Sequence, residues 1–246
     1  MHFDILAVYI QFKKIVKIIV NSYFKYFSII LICILIESNR LLQIVKVDHP
    51  FSSPLIYIKI DNHTKLNDLL IEESYEWKRL DKGNDKSNKG NGWQSPETLM
   101  LKKTRGFKNF TDIIPNAAAL AVSKINPQLQ ITDYTYKANA WVNINQKGGY
   151  NSIHHHGEFH LSGVYYVKNS IQDYDNGKIE FINSRNDYNI HKVIGGNAFS
   201  TSIRVTPKEG FMIIFPSSLL HLVHPNNTNE DRISIAWNIK FEKKIS

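Results

Sequence analysis

Three consecutive histidines, His154, His155 and His156, are the first residues whose type and spacing could support chemistry. If the backbone is extended there, side chains two positions apart face the same way, so His154 and His156 share a face and His155 points away. Two imidazoles on one face of a strand can chelate a metal ion with little rearrangement. A histidine run in a surface loop would have no such role, so a further ligand is needed to decide between the two interpretations.

A separate histidine, His221, follows the apolar segment 210–215, whose composition indicates a buried strand. Functional side chains often lie where a rigid strand gives way to a loop. By itself, His221 could be an ordinary structural histidine. Together with His154 and His156, it would complete a three-ligand site with open coordination positions, the arrangement that non-haem iron oxygenases need.

A lone arginine, Arg232, opens a largely apolar segment in which alternation places Arg232, Ser234, Ala236 and Asn238 on one face. A buried guanidinium needs an anionic partner, because an unpaired buried charge is very costly. That partner is either an Asp or Glu of the chain or the carboxylate of a bound molecule. Arginine binds a carboxylate through two parallel hydrogen bonds, and Ser234 could add a hydroxyl donor.

The elements that would position these residues are mostly strands. A predicted strand at 54–60 and predicted helices at 61–79 and 108–125 precede a series of short β-branched and aromatic segments separated by turn residues. These predicted strands are 132–145, 159–167, 177–182, 202–206, 210–215 and 232–241. The order predicts a mainly β (α+β) fold, a double-sheeted jelly-roll with flanking helices.

Several sequence blocks, taken in order, resemble the 2-oxoglutarate/Fe(II) dioxygenase superfamily, and more narrowly a family of 2OG-Fe(II) oxygenases common in marine bacteria and phages. The blocks are SNKGNGWQS at 87–95, AWVNIN at 140–145, HHH at 154–156, LSGVYYV at 161–167, GKIEF at 177–181, FPS at 215–217, HLV at 221–223 and RIS at 232–234. The resemblance implies a cupin-like double-stranded β-helix with iron between its sheets, in a domain that we expect to span residues 47–246.

The resemblance also assigns metal ligands. His221 matches the distal iron ligand, and His154 and His156 match a His-x-His block for the proximal ligands. Most of the superfamily has a carboxylate in the second proximal position, and His156-Gly-Glu158 satisfies that pattern as well. Glu158 is therefore the alternative proximal ligand, and an all-histidine site could serve a different metal.

For the cosubstrate, the resemblance matches Arg232 and Ser234 to the pair that binds the distal carboxylate of 2-oxoglutarate. Asn143, Asn145 and Tyr166 lie on predicted strands that should face the cavity, and they are further candidates, although Tyr166 also suits core packing. The implied reaction is that of an oxidoreductase, which uses Fe(II), 2-oxoglutarate and dioxygen to hydroxylate an unidentified substrate with release of succinate and CO₂.

Two other functions fit the same fold. A metal-binding cupin-type enzyme would explain the histidines but would leave Arg232 without a role. A non-catalytic jelly-roll binding protein would retain neither iron nor 2-oxoglutarate. If the chain is an oxygenase, Trp93 and Gln94 could line a substrate entrance, and His155, His160 and His224 are expected to be bystanders.

The composition and the N-terminus limit the partners and the location. Lys and Arg outnumber Asp and Glu by 30 to 22, but they are scattered, so specific nucleic-acid binding is not expected. The single cysteine, Cys33, excludes an intrachain disulfide and a cysteine-based zinc site. Residues 1–46 are apolar and basic, which predicts a helical extension. This extension either associates with a membrane or is a helix without membrane contact. We expect the domain that follows to be cytoplasmic, and its oligomeric state is open.

Overall fold

The computed structural model describes residues 52–169, 176–185, 188–193, 195–196 and 199–244. The expected extension, residues 1–46, lies outside these residues. No helix in the described part of the chain is long and apolar enough to cross a membrane.

Eleven strands and three α-helices make up the described chain. The strands are β1 Ile56–Lys59, β2 Asn88–Lys89, β3 Gly92–Gln94, β4 Tyr134–Asn145, β5 Tyr150–His154, β6 Leu161–Lys168, β7 Ile179–Ile182, β8 Ser202–Val205, β9 Phe211–Pro216, β10 His221–Val223 and β11 Arg232–Lys243. The helices are α1 His63–Leu80, α2 Arg105–Ile125 and α3 Tyr188–Val193, with 3₁₀ turns at Leu99–Leu101 and Ile131–Asp133.

The strands form two antiparallel sheets. The major sheet has six strands in the order β1-β9-β6-β11-β4-β3, and the minor sheet has five in the order β2-β5-β10-β7-β8. The longest pairing joins β4 to β11 over twelve residues, from Arg232 opposite Asn145 to Lys243 opposite Tyr134. This regular pairing fixes which side chains of β4 and β11 share a face, because alternate residues point to opposite sides of a sheet.

The major sheet packs its two faces against different partners. On one face, Tyr165 contacts Phe110 of α2, with ring centroids 5.0 Å apart, and donates a hydrogen bond to Asn67 of α1. The next residue along β6, Tyr166, belongs to a separate apolar cluster that includes Phe181 and Phe215. Helices therefore cover one face of the major sheet, while side chains of both sheets meet at the other.

The long predicted elements are present with shifted ends. The strand predicted at 232–241 extends to Lys243, and the helix predicted at 61–79 is His63–Leu80. The helix predicted from residue 108 starts three residues earlier, at Arg105. The carboxylate of Glu73 on α1 accepts hydrogen bonds from the backbone N–H groups of Gly106 and Phe107, both at 2.7 Å. This cap comes from a distant part of the chain, so local sequence could not indicate it.

Candidate metal and cosubstrate site

Two of the predicted ligands are held side by side in the minor sheet. His221 begins β10 and lies directly opposite His154 at the end of β5. The register then shifts, because Asn151 lies opposite Val223, so three residue steps on β5 match two on β10. Such a bulge changes the direction of the side chains on the longer strand. As a result, both Asn151 and His154 face the cavity, although strict alternation would separate them.

The third imidazole reaches the site from a loop. The shared face of His154 and His156 was argued for extended backbone, but the strand ends at His154. The backbone N–H of Phe159 bonds to the carbonyl of His156 at 3.0 Å and closes a turn. The ligand atoms of His154, His156 and His221 lie within 4.8 Å of one another. Glu158, the alternative ligand, is exposed and outside this group because the turn carries it away.

The three imidazoles are held in the form that binds metals. Burial lowers the pKa of His221 to about 3 and that of His156 to about 4, and it lowers the pKa of His154 as well. The rings are therefore neutral at pH 7. Nδ1 of His154 bonds to the carbonyl of Ser152 at 2.7 Å, and Nδ1 of His221 bonds to the carbonyl of Leu219 at 2.8 Å. Because a carbonyl only accepts, each Nδ1 carries the proton, and Nε2 is left as a metal ligand.

Arg232 lies on the major sheet with 2% of its surface exposed. Its Nε donates to the carbonyl of Gly177 at 3.0 Å, and its Nη1 donates to the hydroxyl of Ser234 at 3.1 Å. Nη2 has no partner among the described residues, and none of the described ion pairs involves this guanidinium. The guanidinium also lies 5.3 Å from the ring centroid of Tyr166. The geometry thus leaves a buried cation with free hydrogen-bonding capacity.

The other predicted cosubstrate residues surround this arginine. Ser234 lies opposite Asn143 on β4 and opposite Tyr166 on β6, so the three share one row of the major sheet. Oδ1 of Asn143 and the hydroxyl of Tyr166 are buried without a partner among the described residues. Burial, against the opposing effect of the Arg232 charge, raises the pKa of Tyr166 to about 12, so the hydroxyl stays protonated. Unpaired buried polar groups of this kind need a partner from outside the protein or from water.

The three histidines, Asn143, Arg232 and Ser234 line one cavity between the sheets, and Tyr166 is not part of its lining. The histidines lie on the minor-sheet side, and Asn143, Arg232 and Ser234 lie on the major-sheet side. Apolar side chains from both sheets complete the wall: Val164, Ile179, Phe215 and Val223.

Several lining residues were not predicted. Trp141 lies 5.5 Å from His156, ring centroid to centroid, and Ser87 and Asn151 join the lining from the loop before β2 and from β5. Alternation on β4 places Trp141 on the same face as Asn143, which is a signal that the sequence does contain. Nothing local marks Ser87.

The entrance residues suggested by the sequence lie elsewhere. Trp93 is 8% exposed and packs edge-on against Trp77, with its indole N–H donating to the carbonyl of Asp81 at 3.1 Å. Gln94 is buried but does not line the cavity. The tryptophan is therefore part of the core under the helices, because the short strand β3 pairs with β4 and turns it inward.

The three histidines expected to be bystanders, His155, His160 and His224, lie apart from the metal group. His155 is exposed and accepts a hydrogen bond from the backbone of Gly157. His160 accepts one from the backbone of Phe241, and His224 pairs with Glu180 at 2.6 Å. None of the three lines the cavity.

Comparison with known proteins agrees with this geometry. Residues 139–238, which include all seven residues placed in the metal group and the arginine row, match the family described as "Putative 2OG-Fe(II) oxygenase". No curated protein sequence matches the chain.

Solved structures of related fold include a prolyl-4-hydroxylase from Pseudomonas putida, which is 13% identical with a TM-score of 0.55, over 79% of this chain and 95% of that one. The 2-oxoglutarate-dependent epimerase SnoN from nogalamycin biosynthesis is 11% identical with a TM-score of 0.55, over 78% of each chain. A prolyl hydroxylase from Trichoplax adhaerens is 11% identical with a TM-score of 0.52, over 76% of this chain and 83% of that one. At this identity the likeness concerns the fold, and it confirms the predicted double-stranded β-helix.

The donor set fits the groups that this family uses. Three neutral imidazoles on one side of the cavity can bind a divalent metal and leave coordination positions open. A buried guanidinium with a free N–H group on the other side can bind a carboxylate. Over residues 139–238, the chain is therefore similar to 2-oxoglutarate/Fe(II) oxygenases both in sequence and in the side chains that it brings together.

Proposed function

We propose that the chain is an Fe(II)- and 2-oxoglutarate-dependent dioxygenase that hydroxylates a substrate still to be identified and releases succinate and CO₂. The observation that carries the proposal is Arg232. It is 2% exposed, has no carboxylate partner among the described residues, and lines the same cavity as three neutral imidazoles. Burying such a charge is very costly unless a bound anion pairs with it.

Each residue then has a definite task. His154, His156 and His221 hold the iron, and the backbone carbonyls that bond to Nδ1 keep two of the rings oriented. The bound iron supplies the activation of dioxygen, which amino-acid side chains cannot perform.

On the opposite sheet, Arg232 and Ser234 bind the distal carboxylate of 2-oxoglutarate. The hydroxyl of Ser234 accepts from Nη1 of Arg232, so its own hydrogen remains available to a carboxylate oxygen. Asn143 and Tyr166 offer further polar atoms in the same row. The apolar side chains of Val164, Ile179 and Phe215 in the wall lower the local polarity, which strengthens the polar contacts made in the cavity.

An anaerobic titration tests the proposal. The Fe(II)-loaded protein is titrated with 2-oxoglutarate by calorimetry, air is admitted, and succinate is measured. We expect one molar equivalent of 2-oxoglutarate to bind and succinate to form. Both should be lost in Arg232→Ala, and succinate formation should be lost in His221→Ala.

Matched controls separate these effects from general damage. His155→Ala replaces an exposed histidine of the same run, and Arg79→Ala replaces an exposed arginine of α1. Both controls should behave as the unaltered protein. Metal-dependent turnover of a substrate without 2-oxoglutarate would favour a cupin-type enzyme, and retention of neither ligand would favour a binding protein.

We also propose that residues 47–246 are the catalytic domain and that residues 1–46 are an extension with affinity for membranes. The support is the apolar and basic composition of that segment. The test is co-sedimentation of the full chain with vesicles that contain phosphatidylserine, compared with uncharged vesicles. A cytoplasmic location stays a prediction.

A further inference from the structure

His156 is held differently from the other two imidazoles. His154 and His221 lie in paired strands of the minor sheet, so the sheet register fixes their positions. His156 lies beyond the end of β5 in the turn that leads to β6. Without strand pairing, another part of the chain must hold its backbone in place.

Ser217 provides that hold. The backbone N–H of His156 donates to the carbonyl of Ser217 at 2.7 Å, and the backbone N–H of Ser217 donates to the carbonyl of His160 at 3.1 Å. Ser217, which directly follows β9 of the major sheet, is thus hydrogen-bonded to both ends of the turn. The turn that carries His156 is therefore hydrogen-bonded to the residue that follows β9, in addition to its connection to β5.

The side chain of Ser217 is anchored in turn. Its hydroxyl lies 2.8 Å from that of Ser162 on β6, and Ser162 donates to Oδ1 of Asn238 on β11 at 2.7 Å. A serine hydroxyl has one hydrogen, which Ser162 gives to Asn238, so Ser217 must be the donor to Ser162. These three side chains are at most 3% exposed, so water does not compete for the bonds.

We propose that Ser217, anchored by Ser162 and Asn238, is a positioning residue for His156 and so sets the metal affinity of the site. The inference rests on the proposed function, because it takes His156 as an iron ligand. It adds that the third ligand is coupled, through Ser217, to Ser162 on β6 and Asn238 on β11 of the major sheet. The metal site is thus assembled from both sheets, although every imidazole comes from the minor sheet or the turn after it.

The test is an anaerobic titration with Co(II), followed by its visible absorption, in the full chain and in Ser217→Ala. Ser217 does not line the cavity, so the substitution leaves the wall unchanged. Substituting groups that orient a metal ligand weakens metal binding by 10- to 100-fold. We expect Ser217→Ala to weaken Co(II) binding roughly tenfold.

Ser74→Ala is the matched control, because Ser74 is a fully buried serine on α1 whose hydroxyl has no partner among the described residues. It should bind Co(II) as the unaltered chain does. The decisive measurement is the double variant: if Ser217 acts through His156, adding Ser217→Ala to His156→Ala should weaken binding no further.

The outcomes are distinct. Equal affinity in Ser217→Ala and Ser74→Ala would overturn the positioning role and leave the proposed function standing. Additive losses in the double variant would show that Ser217 acts through the fold in general, and would overturn it too. If the unaltered chain bound no Co(II) at this site, both the proposed function and this inference would fall.

Discussion

At the scale of single residues, burial keeps the imidazoles neutral. It lowers the pKa of His221 to about 3 and that of His156 to about 4, with His154 also lowered. A histidine in the unfolded chain has a pKa near 6.5. At and below about pH 6.5, the unfolded chain therefore binds more protons than the folded chain. The metal-free protein should therefore be fully stable above about pH 6.5 and lose stability as the pH falls from there towards the folded values.

Replacing His221 with asparagine should flatten this dependence. One histidine with a strongly lowered pKa contributes about 1.4 kcal/mol of unfolding free energy per pH unit between its folded and unfolded pKa values. The measurement is urea unfolding of metal-free protein between about pH 7 and pH 5, with the exposed His155→Asn as control. The same pH slope in His221→Asn and in the unaltered chain would contradict the expectation.

A second residue, Tyr166, allows ligand binding to be separated from stability. Its buried hydroxyl has no hydrogen-bond partner among the described residues, so Tyr166→Phe should change the free energy of unfolding by less than about 1 kcal/mol. If the hydroxyl bonds to 2-oxoglutarate, the same substitution should weaken cosubstrate binding about threefold to tenfold. Calorimetry measures the affinity for 2-oxoglutarate, and urea unfolding measures the free energy of unfolding. Unchanged affinity for 2-oxoglutarate in this variant would mean that Tyr166 packs against Arg232 and does not bind the cosubstrate.

At the scale of elements, α1 and α2 are joined through one carboxylate. Glu73 of α1 accepts hydrogen bonds from the first-turn N–H groups of α2 and from the hydroxyl of Thr104. A negative charge at a helix N-terminus is favourable because the free N–H groups carry partial positive charge. The helices thus form a unit that covers the major sheet away from the cavity.

Glu73→Ala should therefore destabilise the protein by about 1 to 2 kcal/mol without changing its metal affinity. Glu72→Ala, at the exposed neighbouring position on α1, is the control and should be nearly neutral. Urea unfolding and Co(II) titration give the two quantities. A loss of metal affinity in Glu73→Ala would mean that the helices also shape the site.

At the scale of the whole molecule, the proposed ligands connect the two sheets. The imidazoles lie on the minor-sheet side, and Arg232 lies on the major sheet, with the cavity between them. Metal and 2-oxoglutarate bound together should therefore stabilise the pairing of the sheets as well as each local site.

Thermal unfolding tests this coupling. A ligand at 100 times its dissociation constant stabilises the folded state by about 2.7 kcal/mol, so metal and 2-oxoglutarate should each raise the melting temperature. In Arg232→Lys, which lacks the planar fork, the increment from 2-oxoglutarate should largely disappear while that from the metal remains. An undiminished 2-oxoglutarate increment in this variant would place the carboxylate elsewhere.

The sequence by itself determined the residue types and the long strands. His154, His156, His221 and Arg232 could be selected because metal and carboxylate chemistry require those side chains, and alternation along β11 placed Arg232 beside Ser234. Periodicity of this kind depends on neighbours a few positions apart, which is why it can be read without coordinates.

Only the tertiary structure decided what depends on contacts between distant segments. The bulge that brings Asn151 and His154 to one face arises from pairing with β10, and the turn that presents His156 and removes Glu158 is held by Ser217, some sixty positions along the chain. The early start of α2 likewise needs Glu73. Pairing register and long-range hydrogen bonds leave no periodic trace in the local sequence, so these features follow from the folded chain alone.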